Sequence, residues 1–393
     1  MIKRTIEISA NPSHLTVRDG QLLILRRTEP SARLPANPPN LAGSVPLEDV
    51  GIVVVDERET TYSHHALAAL MEAGAAVVIC GRTHQPSGFL LPYPTHHEVV
   101  WRIDRQVRIG KVQRKQLWTQ IVQAKVRAQA AVLDHDEAAQ SKLVALARSV
   151  RSGDPENIES QAARVYWGKW LTGEDTERLR QLSTTAFRRE PGGSSVLNDL
   201  LDYGYAIFRA AVARAVVSAG MLPAIGLKHS SRGNAFCLAD DLLEPLRPAV
   251  DARVRKLLRL GWVKLERTPK AELLTLLTVR ASTRAKSDGD AGADGSPLMV
   301  ALHRYVSSLA ECLERGSGEL DVPMVDPREA ETHRGDCREA GGGARAAAKG
   351  ANDLQAAPGR DAAPARGRKS APRRAACSEE LFVKDPEQRD DER

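Results

Sequence analysis

The hydrophobic period of this chain changes once, and that change limits the folds open to it more than any other feature. Up to about residue 95, apolar residues alternate or run in short blocks, as in TIEIS (5–9), HLTVRDGQLLILRR (14–27) and GIVVVDE (51–57). Blocks of this kind read as strands, and Asp19-Gly20 supplies a hairpin turn. One helical stretch, SHHALAALMEAG, precedes the strand AAVVICG, giving a strand–helix–strand unit. From Val99 to Ser152 the apolar residues recur instead every three or four positions among Arg, Lys and Gln. That spacing predicts helices, and more are predicted over 155–171, 195–219, 238–260, 271–280 and 298–316.

The expected fold class is α+β: a small N-terminal β-rich domain (1–95) followed by a larger all-α domain (96–325). Within the second, 282–297 is rich in Gly, Asp, Ser and Ala and reads as a mobile loop. From residue 326 to 393 the chain holds GGGARAAAKG and AAPARGRKSAPRRAA, with too few large apolar side chains to offset the entropy of ordering. A disordered low-complexity tail is expected there.

Aromatic residues make up 4% of the 393 and charged ones 27%, which suits an Ala- and Leu-rich helical protein better than a β-sandwich. The net charge is +6, and 326–393 carries 14 basic and 14 acidic residues, so the whole excess lies on 1–325. A basic folded part favours a polyanionic partner such as DNA or RNA. The cysteines Cys80, Cys237, Cys312, Cys337 and Cys377 are odd in number and never spaced as C-x-x-C, which argues against zinc ribbons and disulfide frameworks and for a reducing cytoplasm. MIKRTIEISA lacks the apolar run of a signal peptide, and no window reaches membrane-spanning length. No Gly-x-Gly-x-x-Gly follows GIVVVDE, so a dinucleotide site is excluded.

Two segments carry candidate chemistry. In GLKHSSRGNAFCLADDLLEPLRP (226–248), Asp241 and Glu244 lie three apart and share a helix face, while Asp240 is placed to serve the helix start. Pro245 predicts a tightened turn at Glu244, and His229 sits in the polar loop before the helix. In SGDPENIESQAARVYW, Asp154 and Pro155 read as N-cap and first helical residue, and Glu159 falls on a face that otherwise looks buried. Taken singly, each residue is also an ordinary cap or a solvated loop side chain. Together, an oxygen-rich set with one imidazole suits Mg2+ or Mn2+ better than Zn2+, and in a basic protein it points to phosphodiester chemistry.

These segments resemble the CRISPR-associated integrases, the first-numbered of the CRISPR-associated proteins. IESQAARVYW is similar to that family's Glu-Gly-x-Ala-Ala-Arg-x-Tyr-Trp helix, NDLLDYGYAIFRAAVARAVVSAGMLPAIG to its Asn-x-Leu-Leu-Asn-Tyr-Gly-Tyr helix, and 226–248 to its His loop and Asp-Leu-Met-Glu-Pro-Phe-Arg-Pro turn. PLEDVGIVVVD and GFLLPY extend the likeness, which covers residues 1 to about 270. The resemblance implies Glu159, His229 and Asp241 as metal ligands with Glu244 as an auxiliary carboxylate. It implies spacer acquisition in antiviral defence, by 3′-hydroxyl transesterification of double-stranded DNA into a repeat array. It also implies a homodimer built by the β-domain, a complex with the small second-numbered CRISPR-associated protein, and an RNA-guided effector nuclease as a further partner.

Expected DNA contacts are Arg102, Arg105, Arg114, Lys115 and Lys125 on the basic helices, with Arg164, Lys228 and Arg247 nearer the acids. Ser160, Lys228 and Asp202 depart from the family pattern, which more often has Gly, His and Asn there. Two other readings remain: a metal-dependent nuclease using water, and a DNA-binding scaffold without catalysis.

Overall fold

A computed structural model describes residues 3–26, 40–93, 96–183, 186–193, 196–283 and 295–332. The first part holds strands β1 (Arg4–Ile8), β2 (Ser13–Arg18), β3 (Gln21–Arg26), β4 (Leu41–Pro46), β5 (Val50–Val55), β6 (Thr61–Tyr62), β7 (Ala76–Cys80) and β8 (Pro86–Leu90), with helix α1 (His64–Glu72) between β6 and β7. They form two four-stranded sheets, ordered β4-β3-β2-β6 and β1-β5-β7-β8. Asp19 and Gly20 both take positive φ, 51° and 71°, as the tight turn of the β2–β3 hairpin demands. Ser63 caps α1 by accepting from the Ala66 amide at 3.1 Å.

Every residue of β5 is buried, so both faces of this strand are covered. Val53 and Val55 join Ile6, Leu15, Ile24 and Leu70 in the smaller core. Ile52 and Val54 point the other way, into the core of the helical part, together with Ala76 and Val78 of β7. The period of two in a single strand therefore divides its side chains between two cores.

The helical part comprises α2 (Val99–Val107), α3 (Lys111–Val132), α4 (Glu137–Ser149), α5 (Ile158–Lys169), α6 (Gly173–Leu182), α7 (Val196–Ser218), α8 (Cys237–Leu243), α9 (Arg247–Arg259), α10 (Arg267–Thr275), α11 (Leu298–Arg315) and α12 (Pro327–Thr332). Short strands β9 (Arg280–Ser282), β10 (Ser296–Pro297) and β11 (Met324–Val325) make a third sheet. Helix α7 is buried almost all round and runs through the middle. A Cβ on Gly204 would stand 2.4 Å from Val250 Cγ1, so the close approach of α7 and α9 needs glycine there. Among the described residues, no helix is long and apolar enough to cross a membrane.

The α+β class expected from the sequence is observed, with corrections to its elements. The helix expected from residue 155 starts at Ile158, because Asp154 and Asn157 both take positive φ and coil the chain first. Asp154 still caps it, accepting from the amides of Ile158 at 2.8 Å and Glu159 at 3.1 Å. The span 238–260 is divided into α8, a 3-10 turn at Glu244–Leu246 and α9, as Pro245 requires. The helix expected over 271–280 begins at Arg267, and its end is strand β9. Strand β4 and helix α6 were not anticipated.

The tail expected from residue 326 is ordered to 332: Ala330 is fully buried, its carbonyl accepts from Arg253 Nε, and Glu331 takes Arg255 at 2.9 Å. Composition misled because arginines of α9 anchor α12 rather than a run of large apolar side chains. Residues 333–393 lie outside the described residues, as do 284–294 of the expected mobile loop, whose flanks pair as β9 and β10.

Candidate active site

Three elements bring the acids together. Glu159 stands in the first turn of α5, Glu244 opens the 3-10 turn forced by Pro245, and between them rises Lys125 from α3. Lys125 Nζ is 2.6 Å from Glu159 Oε1 and 2.5 Å from Glu244 Oε2. The other oxygen of Glu244 accepts from Arg247 Nε at 3.0 Å. Burial works against the charge on Glu244, but Arg247 and Lys125 outweigh it and hold the carboxyl down at about 2. Burial likewise works to lower the lysine, and Glu244 and Glu159 outweigh it and raise its pKa above the ordinary value. Glu244, Lys125 and Arg247 are thus ionised at neutral pH.

Asp241 is fully buried and collects the loop before α8 around itself. Its Oδ2 accepts from the amides of Leu227 at 2.6 Å and Lys228 at 2.9 Å. Its Oδ1 accepts from the His229 amide at 3.2 Å and lies 2.5 Å from His229 Nδ1. Gly226 permits this wrap, since a Cβ there would meet His229 O at 2.4 Å and Asp241 Oδ2 at 2.7 Å. The hydrogen bond to Asp241 overcomes partial burial and raises the His229 pKa, with Glu244 and Glu159 adding to the push. Trp118 meets the imidazole edge-on, ring centres 6.0 Å apart. With Nδ1 engaged, Nε2 is the ring nitrogen left for a proton, a phosphate or a cation.

Asp240 does more than serve the helix start. Its carboxylate accepts from Arg209 Nε at 2.6 Å and from Asn234 Nδ2 at 2.7 Å, pinning the same loop from its far end. Of the basic residues expected at DNA, three are engaged internally: Lys125 by the two glutamates, Arg247 by Glu244 and the Tyr205 ring, and Arg102 by Ala219 O, Glu98 and Glu314. Arg114 is half-buried, while Arg105, Lys115, Arg164 and Lys228 are exposed. Sequence reasoning missed the buried Asp251, which accepts from Tyr166 OH at 2.8 Å and from Tyr205 OH, tying α5, α7 and α9 together. The aromatic motifs of α5 and α7 held the signal, without showing what the hydroxyls bind.

Among the described residues, no three His, Cys, Asp or Glu side chains form a ready-made metal cage. What converges is a carboxylate pair on one ammonium, close to His229. The donor chemistry nevertheless fits a hard divalent cation: two carboxylates already share one positive charge, and buried Glu244 Oε2 makes no directed hydrogen bond.

A strand-rich region followed by a mainly helical one carries this acid–histidine centre, with exposed Arg and Lys on the helices that supply it. Residues 7–284 match the family described as CRISPR associated protein Cas1, and the chain belongs to that family. A CRISPR-associated endonuclease Cas1 of Neisseria meningitidis serogroup C (strain 8013) is 34% identical over 322 residues, 81% of this chain and 95% of that protein. Among solved structures, a casposase bound to integration product aligns with a TM-score of 0.61 at 19% identity, over 81% of this chain and 93% of that one. A chain of a Cas6-RT-Cas1–Cas2 complex aligns with a TM-score of 0.60 at 16% identity, over 81% of this chain and 36% of that one. At such identities the structural likenesses speak for the fold.

Proposed function

We propose that this chain is a divalent-metal-dependent DNA integrase of CRISPR adaptation, and that the carboxylate pair of Glu159 and Glu244, gathered on one cation beside a clamped histidine, is its catalytic centre. That convergence is the observation that carries the reading. Glu159, Glu244 and Nε2 of His229 would hold Mg2+ or Mn2+. The ion would supply Lewis-acid stabilisation of the charge that builds on the phosphoryl oxygens. Asp241, implied as a ligand by the resemblance, is engaged by four N–H donors; it positions His229, and Glu244 takes the ligand role.

In the reaction, a 3′-hydroxyl of a short duplex attacks a phosphodiester of the repeat. A new P–O bond forms, the old bond to a 3′-oxygen breaks, and the proton of the attacking hydroxyl is balanced by the one the departing 3′-oxygen takes up. Lys228, beside His229, and Arg164, on the helix of Glu159, are the exposed cations placed to hold the DNA backbone, with Arg105 and Lys115 farther along. The Cas1–Cas2 complex among the structural neighbours supports a small second-numbered partner, and in this reading the β-domain makes the homodimer contact. An RNA-guided effector nuclease is a further partner of this reading, and the setting is cytoplasmic.

The relative named as an endonuclease favours a second reading, in which water replaces the 3′-hydroxyl. Incubating the protein with a 3′-hydroxyl oligonucleotide and supercoiled repeat DNA, with Mg2+ or Mn2+, separates the cases. Joined product that is lost with Glu159→Gln supports integration. Nicking without joining means a nuclease, and binding without either means a scaffold.

A further inference from the structure

Lys125 looks from sequence like one more solvated cation on a basic helix, yet its side chain is only 14% exposed and its ammonium bridges carboxylates from two other elements. Arg247 completes the balance on the second oxygen of Glu244. Two negative charges thus meet two positive ones, and the centre is neutral as it stands. A divalent cation bound by the same oxygens sits about 2.1 Å from each. The ammonium is already 2.5–2.6 Å from those atoms, so there is no room for both. Adding two charges beside Lys125 and Arg247 would also leave the pocket with an uncompensated positive excess in a low-dielectric setting.

We propose that Lys125 is a built-in counter-cation that competes with the catalytic metal: it holds Glu159 and Glu244 together and leaves when the ion enters. This rests on the reading of that pair as metal-holding. Lys125 is then a positioning residue that sets metal affinity, keeping buried Glu244 and half-buried Glu159 from repelling each other at the cost of weaker metal uptake. It also sets the order of events, since the lysine must swing out before the centre can be loaded.

Two measurements on the full chain without DNA, after chelator treatment, test this. Mn2+ binding is followed by the electron paramagnetic resonance of the free ion, for wild type, Lys125→Met and Glu159→Gln. Lys125→Met is expected to bind Mn2+ roughly tenfold more tightly or better, since its competitor is gone, and to melt at lower temperature in chelator. Reductive methylation read by mass spectrometry then compares Lys125 with the exposed Lys142. Labelling of Lys125 should rise severalfold at saturating Mn2+ while that of Lys142 stays level.

Lys125 labelling that does not change at saturation overturns the proposal and leaves the metal reading intact, as does a folded Lys125→Met that binds no more tightly than wild type. If Lys125→Met does not fold, the labelling of wild type decides. A wild-type chain that takes up no Mn2+, or a Glu159→Gln variant that binds as well as wild type, overturns both readings together.

Discussion

Glu244→Gln removes one charge from a neutral buried cluster and changes almost nothing in shape. The carboxyl of Glu244 titrates at about 2 in the folded chain, against an ordinary value of 4.5, because Arg247 and Lys125 outweigh its burial. At neutral pH that difference corresponds to about 3 kcal/mol of folding stability, in line with the 3–5 kcal/mol expected for breaking a buried ion pair. The folded value lies below the unfolded one, so the contribution is present in full above about 4.5 and fades as pH falls toward about 2. Urea denaturation in chelator should therefore show the variant about 3 kcal/mol less stable than wild type at pH 7, with the gap shrinking to about 1 kcal/mol at pH 3. Equal stability at pH 7, or a gap that does not narrow with acid, would refute the charged arrangement drawn here.

Asp251 behaves with the opposite sign: burial raises its carboxyl to about 6 against the hydrogen bonds of Tyr205 and Tyr166, so the folded chain gains as pH falls from about 6 toward 4. The stability of Asp251→Asn relative to wild type should rise by about 2 kcal/mol between pH 4 and pH 7, and a difference independent of pH would contradict the assignment. A chain ending at Val325 leaves Arg253 and Arg255 without Ala330 O and Glu331, and its unfolding free energy should fall by on the order of 3 kcal/mol, whereas a chain ending at Thr332 should match the full chain in stability and joining. Gly226→Ala has no space for its methyl beside His229 O and Asp241 Oδ2. The imidazole resonances should then titrate closer to the ordinary histidine value, and an unmoved titration would mean that the loop is not clamped as described.

The change of hydrophobic period located both parts of the fold because burial imposes it on every strand and helix, while the two covered faces of β5 emerged only from the structure. Pro245 was legible for an equally local reason, a ring that tightens the turn holding Glu244. Lys125 was not. It lies 34 residues before Glu159 on a helix rich in Arg, Lys and Gln, and nothing local distinguishes it from Lys115, which is exposed. The same holds for Arg253 and Arg255, charged residues buried on α9 because α12 returns from far along the chain to meet them. The start of α5 was misplaced because two residues with positive φ, Asp154 and Asn157, intervene, a conformation that their side chains tolerate but do not dictate.

The double allegiance of β5 has a mechanical meaning. A strand whose alternate side chains are locked into different cores offers no hinge between them, so the sheets and the acid–histidine centre turn as one piece. Anything gripped by the sheets is held at a set distance and bearing from His229. Such a build behaves as a stiff caliper rather than a tether, and its setting can be changed only by remodelling the strand that both cores share.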